Sequence, residues 1–503
     1  MNLAVAFTES VRKRPDKAAF FWGEQEITYA TLLAQTQGVA QQLTAAFGVK
    51  PGDRVGLWLK NRPEFVPAYF GILFAGAVVV PINNFLKPDE VNFILQDAGA
   101  DVLITDEELG VHFVALSAAR PGLKMLKVEE FAPAGSEISH SALRTSHSQS
   151  DLAVIIYTSG TTGRPKGAML SHGNLLHNVE SCRIVLETVD VDRFAVLLPL
   201  FHSYMMTVGM LLPLLVGGSM VLVKSLSPPH NAIKEICERQ ATVLPAIPQF
   251  YRAMANLPAK VKLPLRIAIS GSAPLPLQVL KDFEAKHHIP IIEGYGLSES
   301  SPVATKNPLR GVRKPGSIGL PIPNVELSVQ SDDGQMLAAN EVGEICIRGG
   351  NVMMGYWNKP EETAAAMRGD WLLTGDIGYH DADGYYFITD RKKDMLLVNG
   401  INVYPREVEE VIYQFPGVKE AAVVGVADAR KGEQPAAFIA MNEGMTLDEK
   451  AFLQFLRQKL ADYKVPRRVT VLPALPRNAT GKILKTALRQ EGNSPTGQAG
   501  QPV

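Results

Sequence analysis

The sequence predicts an α/β protein: a large, multi-sheet N-terminal domain followed by a small, mobile α+β C-terminal domain. Three observations carry this. At 503 residues the chain exceeds the length at which one hydrophobic core keeps growing. Short β-rich runs alternate with helical patterns through most of it, the rhythm of layered α/β structure. Near residue 390 that rhythm gives way to the charged string Asp390-Arg391-Lys392-Lys393-Asp394 and a shorter α+β pattern. The boundary is therefore set at 392/393, with residues 1–392 as the body, 393–489 as the small domain and 490–503 as a disordered tail.

In the body, RVGLWLK at 54–60 reads as a strand, 63–75 as a helix, and VVVPI at 78–82, DVLIT at 101–105 and LAVIIY at 152–157 as further strands. Residues 132–150 are small, polar and unpatterned, an exposed connection inside the body. The alternation resumes with SMVLV at 219–223, a helix around 230–239, and strands TVLPAI at 242–247 and LRIAIS at 265–270. In the small domain Pro405 opens a helix with Val408, Val411, Ile412 and Phe415 on one side, followed by strands AAVVGV and AAFIAM. Thr446 and Glu449 have the spacing of a capping box before a helix carrying Phe452, Phe455, Leu456 and Leu460.

Composition narrows the function classes. Apolar residues make up 46% and charged residues 20%, as in folded globular chains. Fifty basic against 51 acidic residues give no global field for nucleic acid, so phosphate chemistry must be local. Cys182, Cys237 and Cys346 stand far apart without metal-ligand spacing, which points to buried thiols in a reducing compartment. The N-terminus has no signal layout, so a cytoplasmic location is expected. Between Arg193 and Lys224 no charged side chain occurs, but Pro199, Pro213 and Gly217-Gly218 break the run into strand-length and short-helix pieces. No stable membrane insertion is expected; peripheral membrane contact and the choice between monomer and homodimer stay open.

The strongest chemical signal is Tyr157-Thr158-Ser159-Gly160-Thr161-Thr162-Gly163-Arg164-Pro165-Lys166-Gly167, directly after an apolar strand. Glycines let backbone N–H groups converge on an anion, hydroxyls add donors, and Lys166 adds charge. It is a phosphate loop that fits neither the Walker spacing nor a dinucleotide fingerprint. Further motifs follow in order: Pro199-Leu200-Phe201-His202, Gly271-Ser272-Ala273-Pro274, Tyr295-Gly296-Leu297-Ser298-Glu299, the stretch 343–349, Thr374-Gly375-Asp376, Asp390-Arg391-Lys392-Lys393 and Asn478 through Lys482.

Taken together these motifs resemble the acyl-adenylate-forming superfamily, most closely bacterial fatty acyl-CoA synthetases, from the first helix to about residue 489. The resemblance implies an ATP-dependent acid–thiol ligase: a carboxylic acid, most simply a medium- or long-chain fatty acid, becomes acyl-AMP with loss of pyrophosphate and then a coenzyme A thioester. An aryl or short-chain acid, or transfer to a carrier protein, is the alternative. It implies that Thr158, Ser159, Gly160, Thr161, Thr162, Gly163 and Lys166 hold the outer phosphates of ATP, and that Glu299 carries Mg²⁺ with Thr158. Gly271, Ser272 and Ala273, with Glu293, Gly294, Tyr295, Gly296, Leu297 and Ser298, should enclose adenine; Asp376 and Arg391 should meet the ribose, with Ile388 beside them. Lys482 should act on the α-phosphate and the acid oxygen, His202 should gate the acyl site, and Lys393 should be the hinge. Met205, Met206, Val208, Met210, Leu211, Pro302 and Val303 should line an apolar acyl pocket, with no Arg or Lys placed to receive a second carboxylate. After the small-domain glycine the chain reads Gly400-Ile401-Asn402 where many relatives carry Arg, Lys or Gln, so thiol contacts there are in doubt.

Overall fold

The computed structural model describes residues 1–131, 148–158, 165–226, 230–258, 261–398, 401–428, 432–477 and 482–493. Most of the polar connection at 132–150, the phosphate-loop residues Ser159, Gly160, Thr161, Thr162 and Gly163, and residues 478–481 before Lys482 lie outside them.

Among the described residues four sheets form. A nine-stranded sheet has a parallel centre in the spatial order Ile291–Gly296, Ile267–Ser270, Val243–Ala246, Arg193–Val196, Ser219–Leu222 and Ala18–Trp22. A six-stranded sheet is parallel from Lys124–Lys127 through Leu152–Thr158 and ends on antiparallel Lys166–Ser171. The central strands are fully buried, as parallel sheets covered on both faces require. Helix Phe65–Phe74 is buried at every position, which its sequence FVPAYFGILF allows because no polar face has to reach water. A five-stranded antiparallel sheet includes Gly343–Gly349, Trp371–His380 and Tyr386–Arg391. The last sheet, built on the long pair Val418–Asp428 and Gly432–Met441, forms the core of the small domain.

The charge-free run resolves into the strand Arg193–Val196, a π-helical segment Met205–Leu211, the short helix Leu212–Val216 and the strand Ser219–Leu222. No helix among the described residues is long and apolar enough to cross a membrane. Cys182 and Cys346 are buried, whereas Cys237 is only partly so.

Two boundaries differ from expectation. Helix Glu449–Lys459 is capped by Asp448, whose side chain accepts from Ala451 N, so Thr446 lies outside it; a carboxylate at the positive helix end is the stronger cap. Helix Lys485–Asn493 runs past the expected small-domain boundary at 489 and docks on the small sheet: Asn493 Oδ1 accepts from Ala427 N at 3.0 Å and Gly492 O accepts from Arg468 Nη1 at 2.6 Å; the rest of the expected tail, 494–503, lies outside the described residues.

Candidate active site

Carboxyl ends of parallel strands, where ligands bind in open α/β sheets, carry the motif residues. Ile267–Ser270 runs into Gly271-Ser272-Ala273, Ile291–Gly296 runs into Glu299, and Arg193–Val196 leads to His202. Leu152–Thr158 delivers Thr158, in register with Lys166 on the neighbouring strand.

Asp376 and Arg391 face each other as register partners on antiparallel strands. Asp376, 3% exposed, accepts from Tyr295 Oη at 2.5 Å and pairs with Arg391 Nε at 3.1 Å. Burial and the adjacent Asp376 charge hold the Tyr295 hydroxyl far above its ordinary range, fixing it as a donor. The turn before Asp376 is locked too: Gly375 has φ of 70°, its N–H donates to Glu344 Oε1 at 2.9 Å, and its carbonyl accepts from Lys392 N. Ile388, on the Arg391 strand, is partly buried, and its carbonyl accepts from Arg406 Nη1 at 3.1 Å.

Glu299 sits on the short 3-10 turn Ser298–Ser300 and accepts from Tyr356 Oη at 2.9 Å. The same tyrosine ring lies 5.3 Å from Lys166 Nζ, so one aromatic links the phosphate-loop lysine to the carboxylate. Segment 353–357 laces this together: Met353 N donates to Glu299 O and Trp357 N to Gly167 O, both at 2.8 Å. Sequence reasoning missed Tyr356, because a lone aromatic between Gly355 and Trp357 reads as core packing. Thr158 Oγ1 reaches the Lys166 carbonyl at 3.5 Å. Among the described residues no three His, Cys, Asp or Glu side chains gather as a metal cluster.

Glu293 is buried; its Oε1 accepts from Leu275 N at 3.1 Å, and burial pushes its carboxyl up to about 7 against the opposing Arg406 cation. Gly296 is required by packing, since a Cβ there would lie 1.8 Å from the Pro302 carbonyl oxygen. Ser298 Oγ and Ser203 Oγ are 3.1 Å apart, which joins the turn before Glu299 to the His202 segment. Burial, then the Lys482 charge, push the His202 imidazole down to about 4; its Nδ1 accepts from Tyr204 N at 3.3 Å.

The small domain presents Lys482 to the same cluster. Although much of Lys482 is exposed, protein packed around its ammonium and then the Arg391 cation push it down to about 8, with Asp376 opposing. The base of its loop is held by a bridge between Arg477 and Ile483. Arg477 pairs with Glu420 at 3.0 Å, and Glu420 also accepts from Gln249 of the body at 2.9 Å. Asp390 Oδ2 accepts from Arg406 N at 2.8 Å at the start of helix Pro405–Ile412. Lys393 is exposed in a turn in which Asp394 N donates to Arg391 O at 2.9 Å.

The expected acyl-pocket residues are brought together: Met205 through Leu211, Pro302 and Val303 are all buried, and Thr207 Oγ1 donates to Ser301 O at 3.1 Å. One basic residue that sequence reading did not single out ends the same strand as Val303. Lys306, at the end of the strand Val303–Lys306, is 4% exposed, and the bulged register that opposes it to Gly294 and Val303 to Gly296 sets both on one face. Sequence reading passed over it because a Lys three residues after Val303 looks like the polar end of a strand.

Comparison with known proteins places these features. The AMP-binding enzyme profile matches residues 7–357, and the AMP-binding enzyme C-terminal domain profile matches 407–482. A long-chain-fatty-acid–CoA ligase of Bacillus subtilis (strain 168) is 35% identical, covering 97% of this chain and 94% of its own. Crystal structures of ATP-bound MatB from Rhodopseudomonas palustris (33% identical, 98% and 99% covered) and of the anthranilate CoA ligase AuaEII with anthranoyl-AMP (30%, 98% and 97%) each superpose with a TM-score of 0.91. With both profiles matched and relatives alike over nearly the full length, the chain belongs to the AMP-binding enzyme family.

Proposed function

We propose that this AMP-forming acyl-CoA synthetase activates a medium- or long-chain fatty acid and transfers it to coenzyme A. A carboxylate is a poor acyl donor because oxide is a poor leaving group. Its oxygen therefore attacks the α-phosphorus of ATP, the bond to pyrophosphate breaks, and acyl-AMP forms. The thiol sulfur then attacks the acyl carbon, AMP leaves with the acid's oxygen, and the thiol proton passes to solvent.

The observation that carries this reading is the Tyr295–Asp376–Arg391 cluster with Lys482 beside it. Asp376 can accept from ribose hydroxyls while it pairs with Arg391, and Ile388 flanks them. Gly271-Ser272-Ala273 and the segment from Glu293 to Ser298 enclose the base. Thr158, Ser159 through Gly163 and Lys166 bind the outer phosphates, and Lys482 neutralises charge developing between the acid oxygen and the α-phosphate. The His202 imidazole, neutral near pH 7, gates the acyl side without carrying a proton.

Glu299 and Thr158 offer a carboxylate and a hydroxyl, hard oxygen donors few enough to leave other positions to phosphate and water, which suits Mg²⁺. Bound there, Mg²⁺ would neutralise the transferring phosphates. Residues 1–392 form the body, and 393–489 the lid that turns about Lys393.

Likeness to an anthranilate ligase favours aromatic acids as the second reading, and a panel of straight-chain and aromatic acids scored by pyrophosphate release separates the two. The assignment of Lys482 is tested by Lys482→Ala, which should slow acid-dependent ATP–pyrophosphate exchange about 10²–10³-fold. Thioester formation from supplied acyl-AMP should be spared. Exchange at the wild-type rate would remove Lys482 from the first step.

A further inference from the structure

Lys306 is a buried cation for which no carboxylate partner stands among the described residues. Strand register sets it opposite Gly294, and a side chain at Gly294 would meet its Cδ and Cε at 3.1 and 3.2 Å. Its stem therefore lies over Gly294, on the sheet face that carries Ile292 and its parallel partner Ile269. That face packs against helix His172–Val185 and the π-helical segment Met205–Leu211. The buried Cys182 thiol of that helix lies near enough to feel Lys306 and Tyr204. The Tyr204 ring covers Gly271, 3.2 Å from where a Cβ would sit. Asn178 ties the helix to the Lys306 strand, donating to Val303 O at 2.6 Å. Register sets Val303, a residue assigned to the acyl pocket, opposite Gly296, so Lys306 and Val303 share one face of this strand pair.

An ammonium taken out of water is costly unless an anion or a set of acceptors replaces the lost hydration. Among the described residues no carboxylate pairs with Lys306; burial dominates its environment, and Cys182 is the one neighbouring group that acts on its charge. Its ammonium is pushed down to about 8, so near neutral pH most of it is still charged.

The geometry points to Lys306 as the receptor for a second carboxylate on the substrate, at the end of the acyl body away from the carboxyl that is activated. This rests on the acid-ligase reading above and deepens it, making the acid one with an apolar middle and an anionic far end. A carboxylate is the acceptor that best offsets a buried ammonium, through a charge-assisted hydrogen bond.

The test compares α,ω-dicarboxylic acids with monocarboxylic acids of matched length, by pyrophosphate release with ATP and coenzyme A, in the wild type and in Lys306→Met. Methionine keeps the length of the stem and removes the charge. The wild type should favour its best diacid over the matched monoacid by at least about tenfold in kcat/KM, because a site built for a polar partner rejects the analogue that lacks it. Lys306→Met should reverse that order, leave KM for ATP unchanged, and melt no lower than wild type. A wild type that prefers the monoacids, or a variant that keeps the diacid preference, overturns the inference and leaves the ligase reading standing. Absence of acid-dependent pyrophosphate release from the wild type with every acid would overturn both.

Discussion

Glu299 and Tyr356 make one unit, the tyrosine hydroxyl holding the carboxylate while its ring faces Lys166. Glu299→Gln should raise the Mg²⁺ concentration needed for half-maximal adenylation, since an amide oxygen is a weaker ligand for a hard cation. An unchanged Mg²⁺ titration would take Glu299 out of the metal site. Glu293 supports a prediction about stability. Its folded pKa is raised to about 7 by burial, above about 4.3 in an unfolded chain. Its contribution is therefore present in full below about 4.3 and lost as pH rises through about 7, where a charge must be carried inside. Glu293→Gln stays neutral throughout, so its melting temperature relative to wild type should climb between about pH 5 and about pH 8. A difference that stayed flat or fell would mean Glu293 is not buried as described. At this scale the sequence was most informative where motifs name residues. Thr158, Glu299, Asp376, Arg391 and Lys482 could be picked out by order alone. Tyr356 and Lys306 could not, because what singles them out is a partner, or the lack of one, supplied by a distant strand.

Elements show the same division. Apolar runs such as 152–157 and 219–223 were legible as strands because burial on both faces leaves them no other use. The antiparallel sheet holding Asp376 and Arg391 was not read as a sheet, since its strands interleave polar motif residues with core; only register reveals that the two motifs face each other. The capping-box spacing at Thr446 misled because Asp448 offers a better cap two residues on. The turn 391–394 is the element proposed above as the hinge between the two half-reactions. On the proposed roles, adenylation would need Lys482 over the phosphates and thiol attack would need it gone, so the small domain would rotate about few residues. Lys393→Pro fixes φ near −65° and deletes an N–H. It should retain ATP–pyrophosphate exchange and lose thioester formation by about a hundredfold or more. Full activity in both steps would refute the hinge at this position, as expected of an ordinary solvated loop.

Across the whole molecule, length and the change near residue 390 gave the division into a body and a small domain, but not the order of strands. Ser219–Leu222 lies between Arg193–Val196 and Ala18–Trp22, with Phe20 paired to Met220, 200 residues away in sequence, which no local pattern encodes. Strands of this nine-stranded sheet and of the six-stranded one carry motif residues at their carboxyl ends, and Gln249, Glu420 and Arg477 tie the small domain to the body. The central claim is that the acid's own oxygen attacks the α-phosphorus. Supplying an acid substrate labelled with heavy oxygen in its carboxyl, with ATP and coenzyme A, and weighing the nucleotide product tests it directly. The account predicts AMP that carries label from the acid, formed together with pyrophosphate. Unlabelled AMP, or ADP with inorganic phosphate, would contradict it.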